Sequence, residues 1–427
     1  MTASPIGTLR LLPFRAVRYN TSVSDLAAVI APPYDVIDDR EQAELEAANP
    51  HNVVRLILPR DPGIPGVDRY TCAAQTFEQW LDDETLLVDD APALYVYQQT
   101  RSGVVLQRGL LGAVVMQPLD GGVILPHENV RTGPVEDRLA LMRAMRANPE
   151  PIFLLYDGGG AATASSASAV IRDPVASTVT ADGVVHELWS ITDPHELDEI
   201  ATDLAGRQAM IADGHHRYTT YGYLRDELHA AGEGAGPWDA GLTLLVDASV
   251  AAPDIRAIHR VVPGLSLENA LAAVGDAFRV VPLDEDVGDV DGALVVLGEH
   301  DSPAFLLSDG RSFALLLDPD PGRLAAAKPP DRTPAWWALD ASVASVFVMD
   351  SMLGVSDAAG QVEAEHDPAA ALRLAARDSG VALFLKPAPL DGIVAVARAG
   401  DAMPRKSTLF LPKPRSGVAM RAFRFEQ

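Results

Sequence analysis

The chain has very little cysteine, few aromatic residues and a shortage of positive charge. Cys72 is the only cysteine among 427 residues, which excludes an intrachain disulfide and any cysteine-built zinc or iron–sulfur centre. Its neighbours Ala73, Ala74, Phe77 and Trp80 read as one helix, so Cys72 is taken as a small core residue rather than a nucleophile. Lysine and arginine number 34 against 59 acids, a formal net charge of −25. That field repels nucleic acid and anionic membrane surfaces, so neither is expected as a partner. No apolar run is long enough to span a bilayer, and the first residues lack a basic patch followed by an apolar stretch. A cytoplasmic protein is the expectation, with no haem or flavin, and with room for an oligomer.

Hydrophobic residues make up 48% of the chain, enough for a large interior. Apolar alternation and helical spacing interleave along it. Strands are predicted at Val53–Leu58, Leu94–Gln99, Gly109–Met116, Ile152–Tyr156, Gly183–Thr192, Gln208–Ala212, Leu242–Val246, Ile255–Val262, Ala293–Leu297, Ser312–Leu317 and Val381–Leu385. Helices are predicted at Glu41–Ala48, Tyr70–Leu81, Val135–Arg146, Pro194–Leu204, Arg217–Ala231, Val343–Leu353 and Pro368–Asp378. Arg101-Ser102-Gly103 marks a hairpin, and the Gly-, Ala- and Ser-rich stretch 158–168 reads as a loose crossing. Such a mixture favours an α+β fold with mixed sheets over a doubly wound one. Four regions are expected: 1–157, 158–262 with the central motif, a smaller α+β unit at 263–333, and 334–427 packing back on the core.

The central motif is Ile211-Ala212-Asp213-Gly214-His215-His216-Arg217-Tyr218. It stands between a predicted strand and a predicted helix, where Gly214 permits a sharp bend and the first helical amides can face an anion. His215 and His216 titrate near neutrality and are candidate acids or bases. Arg217 carries a fork suited to phosphate. Asp213 could orient a histidine or help to hold Mg²⁺. The plainer alternative is a capped turn with two locally bonded histidines. Four other polar groups sit in apolar or proline-fixed surroundings. They are Tyr34-Asp35 after two prolines, His127-Glu128 after a short strand, Glu136-Asp137-Arg138 in a first helical turn, and Lys406-Ser407-Thr408 with Lys413 nearby. Each has a bland reading as a cap or a solvated turn. The basic loop at 406–408 suits phosphate but lacks the glycines of a P-loop.

The motifs Ala31-Pro32-Pro33-Tyr34-Asp35-Val36-Ile37, Leu125-Pro126-His127-Glu128, Gly133-Pro134-x-Glu136-Asp137-Arg138-Leu139, Ile211 to Tyr218 and Met403-Pro404-x-Lys406-Ser407-Thr408 resemble, in order and spacing, a bacterial domain-of-unknown-function family, number ten-fifteen. The resemblance runs from about Pro13 to Val418. Asn129-Val130 and Ser345 depart from residues usual in that family, so neither place enters the candidate set.

The central motif alone is similar to the nucleotide-binding turn of the ParB and sulfiredoxin superfamily, which includes free-serine kinases. That resemblance implies that Gly214, His215, His216 and Arg217 grip phosphates of ATP or ADP with Mg²⁺. Arg138, Lys406, Ser407 and Thr408 are further phosphate candidates. Asp35, His127, Glu128, Asp213, His215 and His216 are the catalytic candidates, and Asp213 the candidate magnesium ligand. The leading expectation is a nucleotide-dependent phosphotransferase acting on a small hydroxylated metabolite, L-serine being the named guess. A non-catalytic nucleotide-binding regulator and a metal-dependent hydrolase using Asp213, His215 and His127 are the alternatives.

Overall fold

A computed structural model describes residues 7–284, 288–356 and 360–426. The fold is α+β, as expected, and the chain divides into two compact units. The first holds residues up to Pro126, Val130–Pro253 and Pro412 onward; the second holds His127–Asn129 and Asp254–Leu411.

The first unit is built on a mixed nine-stranded sheet. Its path runs through Ile124–Leu125, Ala209–Asp213, Ile152–Tyr156, Ala240–Asp247, Val104–Val115, Leu94–Arg101, Val184–Ile191 and Ala176–Val179, with Leu11–Leu12 joined to Val104–Val115. Most neighbours are antiparallel. Ala209–Asp213 runs parallel to Ile124–Leu125, and Ala240–Asp247 parallel to Ile152–Tyr156. Every residue of Ile152–Tyr156 and of Ala240–Asp247 is buried, which accounts for the apolar runs Ile152–Leu155 and Leu244–Val246. The predicted hairpin at 101–103 is present, with Ser102 and Gly103 in the left-handed region. Helix His215–Ala230 packs on Thr132–Met145, which in turn packs on Arg69–Asp82. Met420–Ala422 returns from the carboxyl end into a small antiparallel sheet with Ala16–Tyr19, Leu86–Val88 and Ala147–Asn148.

The second unit centres on a six-stranded antiparallel sheet: Arg279–Pro282, Phe313–Leu317, Phe305–Ser308, Val381–Phe384, His259–Val262 and Glu363–Glu365. Side chains alternate between its two faces. Phe305, Leu307, Leu316 and Leu383 enter one core, while Leu306, Leu315, Leu317, Ala382 and Phe384 enter the other.

Several local expectations differ from the structure. Val53–Leu58 is not a strand but holds the helical turn Val54–Ile57, because buried Asn52 accepts from the Val54 amide and donates to the Ala28 carbonyl. Ala293–Leu297 lies in helix Val290–Gly298, started by the Asp289 cap on Gly292. Short apolar runs do not distinguish these states by period alone. The stretch 158–168 is not a loose crossing. It carries helix Ala161–Ala169, whose Ala162 amide is capped by Asp203. Ile255–Val262 is two strands, Asp254–Arg256 and His259–Val262, in different sheets. Cys72 is half-buried on the flank of its helix.

The expected boundaries at 157/158 and 333/334 do not mark the breaks between the two units. Residues on both sides of 157 share the nine-stranded sheet, and residues on both sides of 333 share the six-stranded one. Among the described residues no helix is long and apolar enough to cross a membrane.

Candidate functional site

The strand Ala209–Asp213 gives way to Gly214, which turns the chain at φ 93° and ψ 30° into helix His215–Ala230. The left-handed conformation there suits glycine. The first helical bond is Tyr218 N–H to the Gly214 carbonyl at 2.9 Å, so the amides before it lie outside the helix's own ladder. Arg217 folds back beneath the turn, and a Cβ at position 214 would stand 3.1 Å from its Nε. It is 3% exposed, donates from Nη2 to Asp213 Oδ2 at 2.5 Å and from Nη1 to the Pro151 carbonyl. Burial works against its charge, but Asp213, Glu150 and Asp35 outweigh it and hold the guanidinium firmly protonated. The fork expected for phosphate is therefore occupied within the protein. Arg217 braces the turn from inside.

The other oxygen of Asp213 accepts from Lys413 Nζ at 2.7 Å, and the same ammonium reaches Asp35 Oδ2 at 3.0 Å. Lys413 arrives on the returning carboxyl-terminal segment, whose carbonyls at Pro412 and Lys413 accept from Gln107 and Gln99. Asp35 is delivered by the proline-fixed turn: Ala31 bridges Ser416 through two backbone hydrogen bonds, and Tyr34–Val36 forms one 3₁₀ turn after Pro33. Burial would weaken the lysine's hold on its proton, and the two carboxylates more than reverse this. Both Asp213 oxygens thus face cations, Arg217 and Lys413. A magnesium ion added there would meet two like charges, which makes Asp213 a poor magnesium ligand in this arrangement. Among the described residues no group of three or more His, Cys, Asp or Glu is placed to hold a metal.

Behind this cluster lies a supporting ring. Buried Glu150 accepts from the Tyr34 amide at 3.0 Å and from Ser416 Oγ at 3.1 Å. Burial pushes its carboxyl up, against the pull of Arg217 and Arg138. Arg138, expected on phosphate, is 4% exposed. Its guanidinium covers the Tyr34 ring at 4.1 Å, pairs with Asp137 at 2.6 Å, donates to the Ile57 carbonyl and faces Glu150 at 3.7 Å. It positions Tyr34 and hence Asp35. Burial also pushes the Tyr34 phenol up to about 12.

His216 Nε2 accepts from the Arg131 amide at 3.1 Å, which leaves the ring proton on Nδ1. Burial, then the neighbouring Arg131, lowers its pKa, so it is neutral near pH 7. In that state it offers one N–H donor. His215 is buried at the first helical position.

The remaining candidates belong to the second unit. Buried His127 meets Thr408 Oγ1 at 3.2 Å and packs edge-on to Phe410. Glu128 is half-buried beside it. Ser407 turns inward to the Pro404 carbonyl at 2.5 Å, and Lys406 is exposed with φ 51°. The candidates therefore fall into two groups, Asp35, Arg138 and Asp213 to Arg217 in one unit, His127, Glu128 and Lys406 to Thr408 in the other.

Sequence reasoning noted Lys413 only beside the basic loop, with no role of its own, and did not single out Glu150 or Arg131. Lys413 carried a signal as a lone cation between two prolines after the basic loop; Glu150 and Arg131 carried none that spacing reveals.

The sequence profile described as "Protein of unknown function (DUF1015)" matches residues 11–342. The chain belongs to this family. Several solved structures are similar to this chain at a low level. SbnI from Staphylococcus aureus, truncated at its carboxyl end, is 13% identical, with 72% of this chain and 85% of that one covered and a TM-score of 0.34. A free serine kinase variant in complex with ADP is 12% identical, covering 71% and 87%, at a TM-score of 0.35. A conserved hypothetical protein from Pyrococcus furiosus is 13% identical, covering 71% and 90%, at 0.33. The search of curated proteins found no match.

Proposed function

We propose that the turn after Asp213 receives the phosphates of a nucleotide, and that this DUF1015 protein transfers a phosphoryl group to a small hydroxylated metabolite. The observation that carries the reading is the Lys413 ammonium gathered between Asp213 and Asp35 where helix His215–Ala230 begins. Phosphoryl transfer asks for positioning and charge neutralisation more than for covalent chemistry. The helix start supplies amides and a favourable dipole end. Neutral His216 adds its Nδ1–H, and Lys413 exchanges a carboxylate for a phosphate oxygen. Asp35 is the most open carboxylate of the cluster, its side chain 36% exposed, and suits a general base. It takes the proton of the substrate hydroxyl as that oxygen attacks the terminal phosphorus and the shortened nucleotide leaves. Mg²⁺ travels with the nucleotide phosphates rather than on Asp213.

The test is incubation with ATP or ADP, Mg²⁺ and L-serine, followed by detection of phosphoserine and of nucleotide turnover, then the same with a panel of small alcohols. Asp35→Asn is expected to lower turnover at least a hundredfold while nucleotide binding persists. Saturable nucleotide binding with no product from any alcohol would remove the transfer half of the proposal. Loss of both sinks it.

A further inference from the structure

A cavity of about 220 Å³ lies in the first unit, away from the residues of the proposed phosphate turn. Its walls are largely apolar, with Val105, Leu110, Ala162, Leu245 and Val250 among them. Its lip is apolar too: Val105 is 42% and Val250 67% exposed, and neighbouring Val104 is 63% exposed. Exposed β-branched residues at the mouth of a hollow mark a surface that a ligand can complete.

Two charged groups border this hollow, Arg108 and Asp247. Arg108 lines it and donates from Nε to Gln98 Oε1 at 2.7 Å, while among the described residues no carboxylate pairs with its guanidinium. Glu187 sits beyond Gln98, which donates to it at 3.4 Å. In a chain with 25 more acids than bases, an arginine without an acid partner at an apolar hollow stands out. Burial disfavours its charge, so an incoming anion would restore what burial removes. The cavity's own acid, Asp247, is already saturated. It accepts from the Gly159 amide at 2.9 Å, from Thr163 Oγ1, and from the Ser249 amide and hydroxyl at 2.8 and 2.6 Å. Those donors hold its carboxyl low against burial, and they leave it no need of a ligand cation. The Gly158–Gly160 loop beside it is no phosphate cradle, because Asp247 and Asp203 already take the Gly159 and Ala162 amides.

We propose that this cavity binds a small amphipathic anion, a carboxylate with an apolar tail, its head on Arg108 and its tail among Leu110, Leu245 and Val250. The volume exceeds the ~150 Å³ that admits benzene and falls short of the ~300 Å³ typical of drug-sized pockets. A tail of six to eight carbons fits that range.

The probe is calorimetric titration of the full chain with hexanoate, octanoate and dodecanoate, beside octan-1-ol and octylammonium. Octanoate is expected to saturate one site per chain, with the alcohol much weaker and the ammonium silent. Arg108→Gln should weaken octanoate at least tenfold, and Ala251→Phe, which plugs the wall without touching the charge, should do the same. Nucleotide binding should be unchanged in both variants. Absence of saturable carboxylate binding up to millimolar concentration overturns the proposal, as does binding that both variants leave intact. Self-association abolished by Val105→Ser, with no carboxylate effect, would make the lip an interface between copies and overturn it equally.

Discussion

Replacing Lys413 by methionine removes one ammonium from a pair of carboxylates and leaves a side chain of similar length. At an effective dielectric constant near 20, contacts of 2.7 and 3.0 Å are each worth about 6 kcal/mol of Coulomb attraction before desolvation. Breaking a buried pair by removing one partner typically costs about 3–5 kcal/mol. Asp213 keeps Arg217, and Asp35 is partly solvated, so the lower side applies and the expected loss is about 2–3 kcal/mol. For a unit of this size that is roughly 4–12 °C in melting temperature.

The pH dependence has a definite sign. Lys413 is raised in the folded state, so its contribution is fully present below the unfolded lysine value of about 10.4 and fades as pH climbs beyond it. The gap between wild type and Lys413→Met should therefore stay constant from pH 6 to 9.5 and narrow above that. A double-mutant cycle with Asp213→Asn, read by urea unfolding, should return a coupling of about 1–3 kcal/mol. A gap under about 0.5 kcal/mol, or no coupling, would refute the claim that these charges hold the turn together.

Gly214→Ala forces a side chain into φ 93° and against Arg217, and calorimetry should show about 1–2 kcal/mol lost. Arg138→Lys keeps the charge but cannot cover Tyr34 and fork to Asp137 and the Ile57 carbonyl together; a loss of about 2 kcal/mol is expected, together with slower phosphoryl transfer through a displaced Asp35 while nucleotide binding persists. His186 and His259 are each held down to about 4 by burial. Their stabilising neutral forms are complete above pH 6.5 and lost as pH falls toward 4, at most about 3 kcal/mol each. Acid-limb melting curves of His186→Asn should be flatter than those of wild type.

Much of the fold was legible because period and punctuation agreed. Leu94–Arg101, Ile152–Tyr156 and Pro194–Leu204 stand almost where the strand-like runs and the helical spacing put them. The misread segments were decided by one polar atom each, Asn52 at one helical turn and Asp289 at another. The strand–glycine–helix turn at Asp213 was likewise visible, since a glycine after an apolar run and before helical spacing has few other uses. The direction of its side chains was not. Arg217 turns inward because Pro151, more than sixty residues away, offers a carbonyl there. Lys413 reaches Asp35 across 378 residues of chain, a pairing that only the returning carboxyl-terminal segment creates. Charge type can be read from sequence; what a buried charge is paired with depends on topology.

The central claim is that phosphate is received at the turn after Asp213. Its most direct test is titration of the full chain with ATP and with ADP, in the presence of Mg²⁺, for wild type and for His216→Ala. His216 is half-buried at the helix start, so the variant should fold normally. One saturable site in wild type, weakened at least tenfold in the variant and flat between pH 6.5 and 8.5 because the histidine acts as a neutral donor, is the expected result. No saturable binding, or affinity unmoved by the substitution, would contradict it.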